Sequence, residues 1–90
     1  MAAPGLVLQV LGRGGEEPAR VGFTVTKKVG NAVVRNRIRR RLKEVVRLHI
    51  FRRPLVGADL VVIGREAALH RPFGALQKDF RRAMARAGIP

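Results

Sequence analysis

The chain contains no cysteine, no tryptophan and no tyrosine. Without cysteine, neither disulfides nor a cysteine-ligated zinc can staple the fold, and the composition suits a reducing compartment. No apolar run approaches the ~18 residues of a membrane-spanning helix. The opening Met1-Ala2-Ala3-Pro4-Gly5 lacks the charged region and apolar core of a secretion signal. A cytoplasmic location is therefore expected. Aromatic residues are limited to Phe23, Phe51, Phe73 and Phe80, which leaves few platforms for stacking single-stranded bases. Acid is scarce as well: six Asp and Glu stand against nineteen Lys and Arg, giving a net charge of +13. An excess of this size attracts polyanions and opposes compaction. Arginine supplies fifteen of the nineteen, which favours bidentate phosphate contacts. With 90 residues the chain has room for one small domain, residues 1–90, and no second.

Hydrophobic periodicity predicts the order β-β-α-β-α. Residues 6–11 form a short apolar run suited to a buried strand, and Gly12 to Pro18 reads as a loop or hairpin connection. Val21, Phe23 and Val25 alternate with Gly22, Thr24 and Thr26, the pattern of a strand over 20–26. A basic turn, Lys27 to Asn31, follows. Asn31 suits an N-cap, and a helix is expected from Ala32 to Phe51, with Val34, Ile38, Leu42, Val45 and Leu48 as its apolar stripe. Pro54 and Gly57 close that segment. The β-branched run Leu60-Val61-Val62-Ile63 predicts an inner strand covered on both faces. A last helix starts near Pro72 and buries Phe73, Leu76, Phe80 and Met84, with Gly88 as its stop. Two helices on one face of a small sheet make an α+β fold, a two-layer α/β sandwich. The strands flanking the long helix could be parallel neighbours, and base rates favour a right-handed crossover between them.

Function concentrates on the long helix. From Lys27 to Arg53 there are eleven basic residues and one acid, Glu44. Asn36, Arg39, Arg40, Lys43 and Arg47 lie opposite the apolar stripe, so the charge is mounted on a packed element. Ordinary solvated faces mix signs at four-residue spacing; here only Glu44 can relieve the repulsion among Arg35, Arg39, Lys43 and Arg47. The helix N-terminus, preceded by Lys27 and Lys28, adds unpaired N–H groups that favour phosphate. These features point to nucleic acid. A membrane-surface helix would need large apolar groups opposite its charges and free of the core. The residues leave DNA and RNA both open, with RNA favoured because no helix-turn-helix pair or heptad zipper is visible.

Catalytic constellations are missing. His49 falls beside the apolar stripe and His70 in a loop, with nothing to pair or orient them as acid and base. The acids are scattered, without the carboxylate cluster of a two-metal nuclease. The glycines from Gly12 to Gly15 lack the Lys-Ser/Thr and helix of a P-loop.

Thr26 to Glu44 reads TKKVGNAVVRNRIRRRLKE. This resembles the signature of the bacterial ribonuclease P protein component, including its Arg-Asn-Arg core at Arg35-Asn36-Arg37. The preceding Arg-Val-Gly-Phe-Thr-Val and the later Asp59-Leu-Val-Val-Ile-Gly-Arg65 resemble its strands. The resemblance implies a left-handed β-α-β crossover, against the base rate. It implies a subunit that binds a catalytic RNA and the 5′ leader of precursor tRNA, and supports endonucleolytic removal of that leader. It places the chemistry in the RNA, with Mg2+ held mainly there and none by the protein alone. The implied partners are ribonuclease P RNA and precursor tRNA; no membrane and no obligate protein partner is called for. Lys28, Gly30, Asn31, Arg35, Asn36, Arg37, Arg40 and Arg41 fall on signature positions. The expected RNA-binding set is Lys27, Lys28, Asn31, Arg35, Asn36, Arg37, Arg39, Arg40, Lys43 and Arg47. Arg37, Arg40 and Lys43 are assigned to the catalytic RNA. Arg35 and Asn36 face either that RNA or the leader, and Phe23 is a leader contact or, more simply, core. Gly30 is expected to permit the turn before the helix, and Arg41 to snorkel beside the apolar stripe. The family carries a helix before the strand at Leu6, lining part of the leader cleft; this chain begins almost at that strand, as a downstream start or a fragment would.

Overall fold

Alternation of large aliphatic side chains builds the sheet. The computed structural model describes residues 1–89, in which three strands, β1 (Leu6–Gly12), β2 (Arg20–Thr24) and β3 (Ala58–Gly64), and two helices, α1 (Ala32–Arg52) and α2 (Phe73–Arg86), follow the expected order. The sheet order is β1-β3-β2. β3 is the inner strand, as its β-branched run predicts. It pairs antiparallel with β1, Leu8 opposite Val62, and parallel with β2, Phe23 opposite Val62. The strands before and after α1 are thus parallel neighbours.

The segment after β1, read as a loop or hairpin connection, is a loop and no hairpin, because β3 lies between β1 and β2. It crosses the start of β3 instead, where Arg13 N and Gly14 N donate to the Gly57 carbonyl and Gly57 N donates to that of Glu17. Nor is β3 covered on both faces. Leu60 and Val62 point to the helices and are buried, while Val61 and Ile63 on the other face are half-buried. Gln9 and Leu11 share that second face and are exposed, and no helix covers it among the described residues.

The core forms where the helical faces meet Leu6, Leu8, Leu60 and Val62. From α1 it takes Ile38, Leu42, Val45 and Val46; Val34 and Leu48, the ends of the expected stripe, are half-buried. The stripe rotates toward Val46 because the inner side of α1 also meets Val21 and Phe23 at the β2 edge. α2 contributes Leu76, Phe80, Ala83 and Met84. Gly64 lets α1 lie against the sheet: a Cβ there would sit 2.7 Å from Ile38 Cγ2 and 2.9 Å from Val25 Cγ2.

Polar ties join the layers. Asp79 on α2 is buried, accepts from Gly5 N at 3.1 Å and pairs with Arg71 at 2.6 Å. Arg41 donates to the carbonyls of Ala68 and Arg71, the latter at 2.5 Å. A single chain of contacts thereby connects α1, the segment before α2, α2 itself and the approach to β1.

Candidate nucleic-acid interface

The N-terminus of α1 is built by local chemistry. Lys27–Val29 form a 3-10 turn, and Asn31 caps the helix with its side-chain Oδ1, which accepts from Val34 N at 3.0 Å. Gly30 packs tightly below this cap: a Cβ there would come within 3.0 Å of Val34 Cβ. Lys27 and Lys28 stay exposed beside the helix end, where the unpaired N–H groups gather.

Along α1 the basic residues divide by helical phase. Arg37, Arg40 and Lys43 are exposed and have no carboxylate partner among the described residues. Arg47 pairs with Glu44 at 2.5 Å, which raises the arginine pKa and lowers that of the glutamate through the shared hydrogen bonds. Arg39 is half-buried and donates to Asn36 Oδ1 at 2.7 Å. Arg35 is half-buried, with its Nε enclosed and without a partner among the described residues. Arg37 and Arg40 meet Arg41, Glu44, Leu69 and Phe73 around an open groove on the α2 side. On the other side Lys43 Nζ stands 5.9 Å from the Phe23 ring centroid. Phe23 lies on the helix-covered side of the sheet and is half-buried.

Arg41, expected to snorkel, instead anchors backbone carbonyls. Phe51 and Val33 escaped the sequence reading. They are exposed by 82% and 75%, in helical phase with Arg40 and Arg47; spacings of seven, seven and four along 33, 40, 47 and 51 carry that signal. Glu16, Glu17, which pairs with Arg13, and Glu66 all lie outside this helix, so the electrostatic character of the face is strongly positive.

The histidines are not brought together. His49 lies edge-on to Phe80, with ring centroids 5.1 Å apart at 81°, whereas His70 is exposed beyond the 3-10 turn Glu66–Leu69. Burial pushes the His49 pKa down, helped by Arg53 and Arg81. A folded-state pKa below the unfolded one means that the unfolded chain binds the extra proton. The His49 contribution is therefore fully present above the ordinary histidine range and declines as pH falls through it, levelling off below the depressed folded value. Urea denaturation from about pH 7.5 to 5 should show that loss in the wild type and a weaker one in His49→Gln; equal slopes in both would remove His49 as the cause.

No helix among the described residues is long and apolar enough to cross a membrane. A ribonuclease P family model matches residues 1–88. The ribonuclease P protein component of Gluconacetobacter diazotrophicus is 61% identical over 87 residues, spanning 97% of this chain and 75% of that protein. Its counterpart in Paramagnetospirillum magneticum is 48% identical over 91 residues, spanning 97% and 68%. The fold agrees. The RNase P protein of Staphylococcus aureus superposes with a TM-score of 0.78 at 27% identity, over 99% of this chain and 80% of that one. That of Thermotoga maritima gives 0.78 at 26%, over 96% and 80%. The arginine-rich helix, the mixed three-stranded sheet beneath it and the near-complete family match agree that this chain belongs to the ribonuclease P protein family.

Proposed function

We propose that this chain is the protein subunit of a ribonuclease P ribonucleoprotein, binding the catalytic RNA and the precursor-tRNA leader so that the leader is cut away. The observation that carries the reading is the exposed, almost acid-free arginine face of α1, fixed to a packed core by Ile38, Leu42, Val45 and Val46. A rigid row of cations matches a phosphate track, and ordering it in advance lowers the entropy lost on binding. Arg37, Arg40 and Lys43, free of carboxylate partners among the described residues, contact the catalytic RNA, with Arg39 and Arg47 beside them. Lys27, Lys28 and Asn31 add phosphate contacts at the helix start. Arg35 and Asn36 face either that RNA or the leader, and the half-buried Phe23, packed against the core, serves the core first.

The chemistry in this reading belongs to the RNA, whose phosphates hold most of the Mg2+; the protein lowers the repulsion between RNA, leader and metal-binding phosphates. Cleavage of a precursor tRNA by a bacterial ribonuclease P RNA at low magnesium, with and without this chain, tests it. Cleavage restored by the chain is the expected result. Absence of both stimulation and preferential RNA binding would overturn the reading.

A further inference from the structure

Phe51 closes the exposed stripe of α1, one turn beyond Arg47, with 82% of its surface open. An aromatic ring left in water at the end of a cationic row gains from being covered. Beside it runs a groove of about 420 Å3 between α1 and β2. Val21, Phe23 and Ile50 give the groove an apolar floor, Phe51 forms a wall, and Lys43 and Arg47 stand on the rim. No carboxylate lines it. The site therefore suits a flat apolar group that carries negative charge on one side.

An unpaired nucleotide has that form: the base offers a π-face to the ring, and its phosphate meets Lys43 or Arg47. Lys43, which has no carboxylate partner among the described residues, and Arg47, paired with Glu44, join the groove to the basic surface of α1. We infer that an unpaired nucleotide of the catalytic RNA stacks on Phe51, ending the α1 footprint in an aromatic contact. The inference rests on the reading of α1 as the RNA-binding helix. It adds a contact of a different kind, non-ionic and tolerant of base identity. A second copy of this strongly basic chain would meet its own charge there, and a leader or a membrane surface would show itself as below.

The test uses the full chain and ribonuclease P RNA without precursor tRNA, titrated at several salt concentrations. Phe51→Ala is expected to weaken binding by about 5- to 100-fold with an unchanged salt slope, since no charge is lost. Phe51→Tyr is expected to stay near wild type, and Phe51→Leu to fall with the alanine variant although it remains apolar. Phe51→Trp, the only tryptophan in that variant, should be quenched by ribonuclease P RNA and not by anionic phosphatidylserine vesicles. Unchanged affinity in Phe51→Ala would overturn the inference, as would wild-type affinity of Phe51→Leu or quenching by vesicles alone. A defect confined to precursor binding by the assembled holoenzyme would assign the groove to the leader and equally overturn it. A wild-type chain with no preference for ribonuclease P RNA over an unrelated structured RNA would instead bring down the subunit reading. Preference retained alongside a silent Phe51→Ala would bring down only the stacking contact. Urea denaturation of each variant verifies folding, which an exposed side chain leaves intact.

Discussion

Phe80→Ala is expected to remove about 3–5 kcal/mol of stability, most of what a domain of this size has. Phe80 is fully buried, the bulkiest side chain to be so, and comes from α2 to meet the core residues of the sheet and of α1. Its ring also receives the edge of His49. Truncation leaves a cavity at the junction of both layers, which neighbours held by β3 and by the Arg41 and Asp79 contacts cannot close. A net charge of +13 already opposes compaction. Urea denaturation should show a midpoint lowered by more than about 1 M or no folded baseline at all. A loss under about 1 kcal/mol would mean that α2 does not pack as described.

The second large effect is on binding. Replacing Arg37 and Arg40 together by alanine should weaken the affinity for ribonuclease P RNA by roughly tenfold to a hundredfold. Each charge-assisted contact is worth about 1.5 kcal/mol or more. The two residues line one groove, so their contributions need not add. Both are exposed and make no internal hydrogen bond or ion pair among the described residues, so folding should change by no more than about 0.5 kcal/mol. Electrophoretic or filter-binding titration gives the first quantity and urea denaturation the second. An affinity loss matched by unfolding would return these residues to a structural role.

What the sequence disclosed, and what it hid, follows the reach of each interaction. The α1 helix was readable because its signals are local: the Asn31 cap lies three residues from the N–H it satisfies, and the apolar spacing repeats within a turn. β3 announced its inner position through composition alone. Its partners stayed hidden, since Leu8 and Val62 lie far apart in the chain and no neighbouring residue encodes the pairing. Without that pairing, the loop after β1 resembled a hairpin. Asp79 read as one more scattered acid. Only the fold brings Arg71 and Gly5 N to it. Arg41 stood among equals in the basic run, and its partners, the carbonyls of Ala68 and Arg71, come from beyond β3. The exposure of Phe51 had the same obstacle: its helical phase is local, but which side of α1 the sheet and α2 cover is not.

In the proposed function, α1 meets the phosphates of ribonuclease P RNA through its unpaired arginines. The salt dependence of affinity for that RNA, wild type against the Arg37→Ala/Arg40→Ala double variant, tests it most directly because it counts ionic contacts and ignores packing. A steep wild-type slope is expected, reduced by about 1.4–1.8 in the double variant, some 0.7–0.9 for each lost phosphate contact. Parallel slopes for the two proteins would contradict it.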